Sequence, residues 1–309
     1  MAKRISIINF KGGVGKTTLA FEFAAGLARF YDGARVLIVD VDHQSSLSIV
    51  CMGATKWQAA VDNNQTVAQV FSSFGGSNPM PGDEIVHATR LNPTWYPHIE
   101  IVPASLSLDN IEIELTAAHQ GGIDSEWNKR TLLSRWIEET EADKKYDYIL
   151  FDCPPATKIV SQNAIAASHG YIIPVVPEAV MERGAPHLFE MVKSSIDARL
   201  QKLAKIGDRR RAFVPNTKLI GVVVTRAQEH GSAFSGYTND HTRHLDSLER
   251  KWGDDLVTPY IALGTGVSAS LAAGRPVYEY AYDQNIGKRG IDDAYHALTN
   301  ELKKRVDAL

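Results

Sequence analysis

Residues 11–18 read Lys-Gly-Gly-Val-Gly-Lys-Thr-Thr and follow directly on an apolar run over residues 5–10. Glycines let backbone N–H groups close around phosphate oxygens, and a helix that starts behind them points its positive end at the same place. The order therefore predicts a buried strand over 5–10, a phosphate-cradling turn and a helix over about 17–31. In that unit Lys16 is expected to neutralise β- and γ-phosphate charge and Thr17 to place its hydroxyl on Mg2+. Gly12, Gly13, Val14, Gly15 and Thr18 complete the cradle. The regular G-x-x-x-x-G-K-[ST] pattern would put glycine where Phe10 stands, so the loop is a deviant one.

Near-continuous apolar runs recur at 35–40, 99–103, 148–152, 170–176 and 218–225, the form expected of parallel strands buried on both faces. Helical stretches at 131–141, 160–167, 185–203 and 241–252 lie between or after them. Alternating strands and helices imply an α/β fold, a doubly wound, mostly parallel sheet flanked by helices on both faces, with its ligand beyond the strands' carboxyl ends. Asp40 and Asp152 would arrive there. Asp42, two residues beyond Asp40, would share its face if the strand continued. One P-loop and no repeat or linker favour a single domain over 1–309, with a peripheral insertion at about 53–98, where Asn, Gln, Gly, Ser and Pro concentrate.

The formal net charge of -3 excludes a globally basic protein, so nucleic-acid binding needs a local patch. Cys51 and Cys153 form no CxxC pair, which argues against zinc, iron–sulfur or disulfide frameworks and fits a reducing, cytoplasmic setting. No apolar run approaches 18 residues, so no membrane span is expected.

The motif KGGVGKTT resembles the signature of the ParA/MinD family of deviant Walker P-loop ATPases, closest to its ParA partition and positioning branch. The resemblance extends to Val36-Leu-Ile-Val-Asp-Val-Asp-His-Gln44, similar to LLVDxDPQ, to Tyr146-Asp-Tyr-Ile-Leu-Phe-Asp-Cys-Pro-Pro155, similar to YDxIxIDxPP, and to Ser270-Leu-Ala-Ala-Gly-Arg-Pro276, similar to A-x-x-G-K-P. It implies a SIMIBI-like P-loop NTPase fold with ATP and Mg2+ as ligands. Lys11 would be the signature lysine that reaches the partner's phosphates across a homodimer, acting like an arginine finger. Asp42 would orient or activate the attacking water, Asp40 would support the magnesium shell, and Asp152 would hold Mg2+ through water as the Walker B carboxylate. Adenine recognition falls by resemblance on Thr225 and Arg226, with backbone from 259–263 contributing. The chain departs from the pattern at His43 (usually Pro), at Ser45-Ser46 (commonly Gly-Asn) and at Gly266, where partition proteins often carry Arg.

A partition ATPase of this kind is implied to bind DNA non-specifically as an ATP dimer on the nucleoid, and to be released when a ParB-like or other cargo adaptor stimulates hydrolysis. Such binding needs cations that release counterions, and the candidates are Arg209-Arg210-Arg211, Arg243, Arg250-Lys251, Lys288-Arg289 and Lys303-Lys304-Arg305. Two alternatives stand beside it. A MinD-like membrane role would use the apolar stripe Ile291, Ala294, Tyr295, Leu298, Leu302 and Val306, a pattern equally expected of core packing. A metabolic P-loop enzyme, such as a ligase or amidotransferase, would have no evident need of Lys11.

Overall fold

The computed structural model describes residues 1–76, 78–118, 122–156, 158–179, 181–207, 214, 216–230, 236–283 and 290–309. Eight strands form one sheet: β1 (Lys3–Ile7), β2 (Val36–Asp40), β3 (His87–Ala88), β4 (Ile99–Val102), β5 (Tyr148–Asp152), β6 (Gly170–Val175), β7 (Lys218–Val224) and β8 (Leu256–Val257). Their order is β3-β4-β2-β5-β1-β6-β7-β8, and every neighbouring pair is parallel except β3 with β4. The strand-rich runs of the sequence are thus the sheet, as expected of a doubly wound α/β fold.

Successive side chains leave a strand on opposite faces, and each face has its own core. Leu37, Val39, Ile149 and Phe151 join one apolar cluster, whereas Val36, Ile38, Tyr148 and Leu150 join the other. Helix α1 (Lys16–Phe30) lies on the second face and buries Leu19, Phe21, Phe23 and Leu27 there. Each such side chain contributes roughly 1.5–3 kcal/mol of burial free energy. The helix Ile291–Asp307 packs beside α1, with Tyr295, Leu298, Leu302 and Val306 inside the same cluster. Its apolar stripe is therefore core. At their crossing a Cβ on Gly26 would stand 2.5 Å from Thr299 Oγ1 and 2.8 Å from the Tyr278 hydroxyl, so only glycine permits this approach.

The helices Leu132–Glu139 and Ile159–Ala167 cover the opposite face. Residues 53–98 lie at the β3 edge, where Val67, Val70, Phe71 and Ile85 are buried against that face and Trp57 Nε1 donates to Ala104 O at 2.9 Å. The helix expected over 185–203 lies within a longer helical run whose middle, Val192–Asp197, is a π-helical segment between Met181–Met191 and Ala198–Gly207. Among the described residues no helix is long and apolar enough to cross a membrane.

Candidate active site

Between β1 and α1 the chain turns through Gly13 (φ 75°) and Gly15 (φ 78°), left-handed conformations that favour glycine. The first turn of α1 has neither an acidic residue nor a side-chain cap, so its N–H groups stay available to an anion. Buried Asn9 ties the loop to the sheet, donating through Nδ2 to Pro174 O (2.7 Å) and accepting the Lys11 N–H on Oδ1 (3.0 Å). Lys16 is 6% exposed and its Nζ donates to Lys11 O at 3.2 Å, curling back over the loop. Burial lowers its pKa, and the nearby Asp152 and Asp42 carboxylates oppose that shift.

Asp40 and Asp152 end neighbouring strands in register, and both are buried. Asp40 Oδ2 accepts from Ser48 N (2.9 Å) and Ser48 Oγ (2.6 Å), and Oδ1 accepts from Asp42 N (3.1 Å). The last bond shows that the strand does not continue to Asp42: β2 stops at Asp40 because its carboxylate captures the N–H two residues on, an Asx turn. Asp42 repeats the device, its Oδ1 accepting Gln44 N at 3.0 Å. Two successive turns thus lead into helix α2 (Ser46–Met52), whose Ser48 is bonded back to Asp40. Burial raises the Asp40 carboxyl to about 7 against those hydrogen bonds.

Asp152 differs. Neither of its buried carboxylate oxygens meets a donor in hydrogen-bonding geometry, although Thr17 lies close enough to oppose the upward pKa shift. Burial is the main cause of that shift, with Asp40 adding to it and Lys16 also opposing it. An ionised carboxylate left so in the interior is costly, which makes this the place where a hydrated cation fits. Cys51 and Cys153 are buried free thiols, consistent with packing.

A cavity of about 370 Å³ opens over the loop, within the range of small-ligand sites. Gly12, Gly13, Gly15, Lys16, Thr17, Thr18 and Asp42 line one side, and Thr225, Arg226 and residues 261–264 the other. Gln44, Ser46, Pro155 and Leu271, which fall in or beside the sequence motifs, also line it, together with Val267, Ser268 and Tyr295; the sequence assigned none of these to the cavity, because the fold brings them there from separate segments. Val14 is buried outside this lining and offers only its backbone. The hydroxyl of Thr225 bonds Val14 O (2.8 Å), with Val175 O at 3.1 Å as a second acceptor, and the guanidinium of Arg226 bonds Gly13 O (2.7 Å) through Nη1, so both hold the loop. Lys11, half-buried, donates its Nζ to Glu178 of the same chain.

Of the candidate cations, Arg209, Arg210, Arg211, Lys288 and Arg289 lie outside the described residues. Arg243 pairs with Asp240 on the helix Asn239–Trp252, which also carries Arg250 and Lys251. Lys303 pairs with Asp307, and Lys304 and Arg305 with Glu301.

A glycine loop at the topological switch of a mostly parallel sheet, facing acidic strand ends, is the arrangement of the P-loop NTPase fold. The chain belongs to the AAA-domain family, whose model matches residues 2–205, and is of the ParA/MinD P-loop ATPase type. The chromosome partitioning protein ParA of Caulobacter vibrioides is 26% identical over 279 residues, covering 89% of this chain and 86% of that protein. The sporulation initiation inhibitor protein Soj of Bacillus subtilis is 32% identical over 193 residues, covering 62% of this chain and 66% of that one. Among solved structures, apo McdA from Cyanothece superposes with a TM-score of 0.69 at 19% identity, covering 98% of this chain and 99% of its own. The cobyrinic acid a,c-diamide synthase of Mycobacterium smegmatis, with an ATP analogue and magnesium, gives 0.66 at 19%, covering 100% and 97%. The pNOB8 ParA bound to nonspecific DNA gives 0.64 at 20%, covering 100% and 99%. At these identities the structural likenesses establish the fold.

Proposed function

We propose that the chain is a ParA-type ATPase that forms an ATP-sandwich homodimer, binds DNA non-specifically on the nucleoid of the cytoplasm, and positions or segregates a cargo. The cargo would be a plasmid, a chromosome region or a cellular body, released when a ParB-like or other adaptor stimulates hydrolysis. One observation carries the nucleotide half of this reading: the buried Asp152 carboxylate, without hydrogen-bond donors, beside Thr17 and Lys16 beneath the glycine loop. Partitioning relatives and a DNA-bound structural neighbour support the other half.

In this mechanism the loop N–H groups and Lys16 would hold the triphosphate, and Thr17 with Asp152 would hold Mg2+. When bound, that ion offsets the charge on the β- and γ-phosphate oxygens. Asp40 keeps the switch segment in place through Ser48 and Asp42 and so supports the ion's surroundings from behind. Asp42 lines the cavity, and with Oδ1 engaged by Gln44, Oδ2 is the oxygen that accepts a proton from the attacking water. Lys11 leaves Glu178 and supplies a second cation to the neighbour's phosphates. The MinD-like alternative loses its surface, since the stripe it would use is packed on α1.

The test is hydrolysis by the purified chain with and without plasmid-length DNA, alongside DNA retention. Retention only with MgATP, weakening steeply with salt, is expected; retention without nucleotide or insensitive to salt would contradict the DNA half. Absence of ATP binding would contradict the whole.

A further inference from the structure

The end of β7 grips the phosphate loop by its carbonyls. Thr225 Oγ1 donates to Val14 O at 2.8 Å, the shorter of its two acceptors beside Val175 O at 3.1 Å, and Arg226 Nη1 donates to Gly13 O at 2.7 Å, so consecutive residues take consecutive carbonyls. A trans peptide is planar, with its N–H opposite its C=O. Fixing the carbonyls of Gly13 and Val14 therefore also fixes the directions of the Val14 and Gly15 N–H groups, two donors of the cradle. Thr225 is 5% exposed, and Arg226 adopts φ 57°, a left-handed conformation that a residue with a Cβ keeps only when its surroundings hold it.

The same strand end also carries the far wall of the cavity. Ile261 N donates to Val224 O (2.9 Å), Ala227 N to Ile261 O (2.9 Å) and Leu263 N to Ala227 O (2.8 Å). Phosphate loop and apolar wall thus share one rigid mount.

We propose that Arg226 and Thr225 are positioning residues that set the shape of the phosphate cradle before nucleotide arrives, and are not contacts to the base. The proposal rests on the ATPase reading above. A cradle already aimed at the triphosphate needs no reorganisation on binding, which raises affinity for the phosphate part of the ligand.

The test compares two ligands by titration calorimetry, MgATP and magnesium tripolyphosphate, which has the phosphates but no base. Arg226→Ala is expected to weaken both by about tenfold, the loss of one charge-assisted hydrogen bond. Thr225→Val is expected to weaken both by about fivefold, and Thr225→Ser, which keeps the donor, to restore both. Melting curves establish that each variant is folded, and the Arg226 and Thr225→Ser measurements stand if Thr225→Val is not. A loss confined to MgATP would overturn the proposal in favour of base contact. Weakening by Arg226→Ala without any effect of Thr225→Val would overturn it in favour of direct charge on the phosphates, and unchanged affinities throughout would make Arg226 a surface cation. Wild-type protein that bound neither ligand would instead remove the ATPase reading itself.

Discussion

Lys11 donates its ammonium group to Glu178 of its own chain, across 167 residues of sequence. A lysine expected to act on a neighbouring copy is thus engaged at home. Both side chains are partly exposed, 35% and 45%, so the pair contributes only about 0–1 kcal/mol. In the proposed dimer Lys11 has to give up that contact. Glu178→Ala is therefore expected to lower the ATP concentration at half-dimerisation by up to about fivefold. Light scattering across an ATP titration checks this, and a raised ATP requirement would mean that Glu178 supports the dimer.

Lys16 and Asp42 separate binding from chemistry. Lys16→Ala removes a buried cation from the cradle and is expected to weaken ATP binding by about a hundredfold. Asp42→Ala leaves the loop intact and is expected to retain binding while hydrolysis falls by about 10²- to 10⁴-fold. Calorimetry and phosphate release distinguish the two, and normal turnover by Asp42→Ala would remove its assigned role.

Glu22 on α1 is completely buried and shares the Val277 N–H between its oxygens at 3.2 and 3.0 Å. Burial raises its carboxyl to about 8, and Tyr96, Tyr278 and Tyr295 are the titratable neighbours, all with raised pKa values of their own. The folded chain keeps a proton that the unfolded chain releases above pH 4.5, so stability falls as pH rises from there to about 8. The slope from this group is about 1.4 kcal/mol per pH unit. Glu22→Gln is expected to remove that component and to stabilise the protein relative to wild type at pH 8. Urea midpoints at pH 6, 7 and 8 measure it; parallel curves for the two proteins would refute it.

Gly26→Ala sets helix propensity against space. Alanine gains about 1 kcal/mol within a helix, but the new methyl would overlap Thr299 and Tyr278. Overpacking costs typically about 1–3 kcal/mol, so the variant is expected to melt lower. A higher melting temperature would show that the helix Ile291–Asp307 yields easily.

Much of this arrangement is written in local sequence. β2, β5, β6 and β7 stand out because strands buried on both faces have no polar alternation to hide them, and the loop of 11–18 carries its own chemistry. The two-residue strands β3 and β8 have no such run: His87–Ala88 and Leu256–Val257 are strands only because β4 and β7 offer them an edge. The turn after β2 is not legible in a period-two pattern, because Asp40 and Asp42 bond backbone ahead of them. Thr225 and Arg226 could be placed near the site but not given their partners, since Gly13 and Val14 lie more than 200 residues away and meet them only through the strand order.

DNA retention should depend on nucleotide and salt together. If several cations neutralise phosphates, affinity for plasmid-length DNA in MgATP is expected to fall by about 10³-fold or more between roughly 50 and 200 mM salt. Filter retention at a series of salt concentrations gives the slope, and a flat response would argue against a counterion-driven surface.

In the proposed dimer a cation from one copy completes the site of another. Light scattering of Asp42→Ala with MgATP, beside the double variant Lys11→Ala/Asp42→Ala, tests it most directly. Twice the 34.0 kDa chain mass is expected for the single variant and the chain mass for the double, with ATP bound in both. Equal masses for the two ATP-bound proteins, whether monomer or dimer, would contradict it.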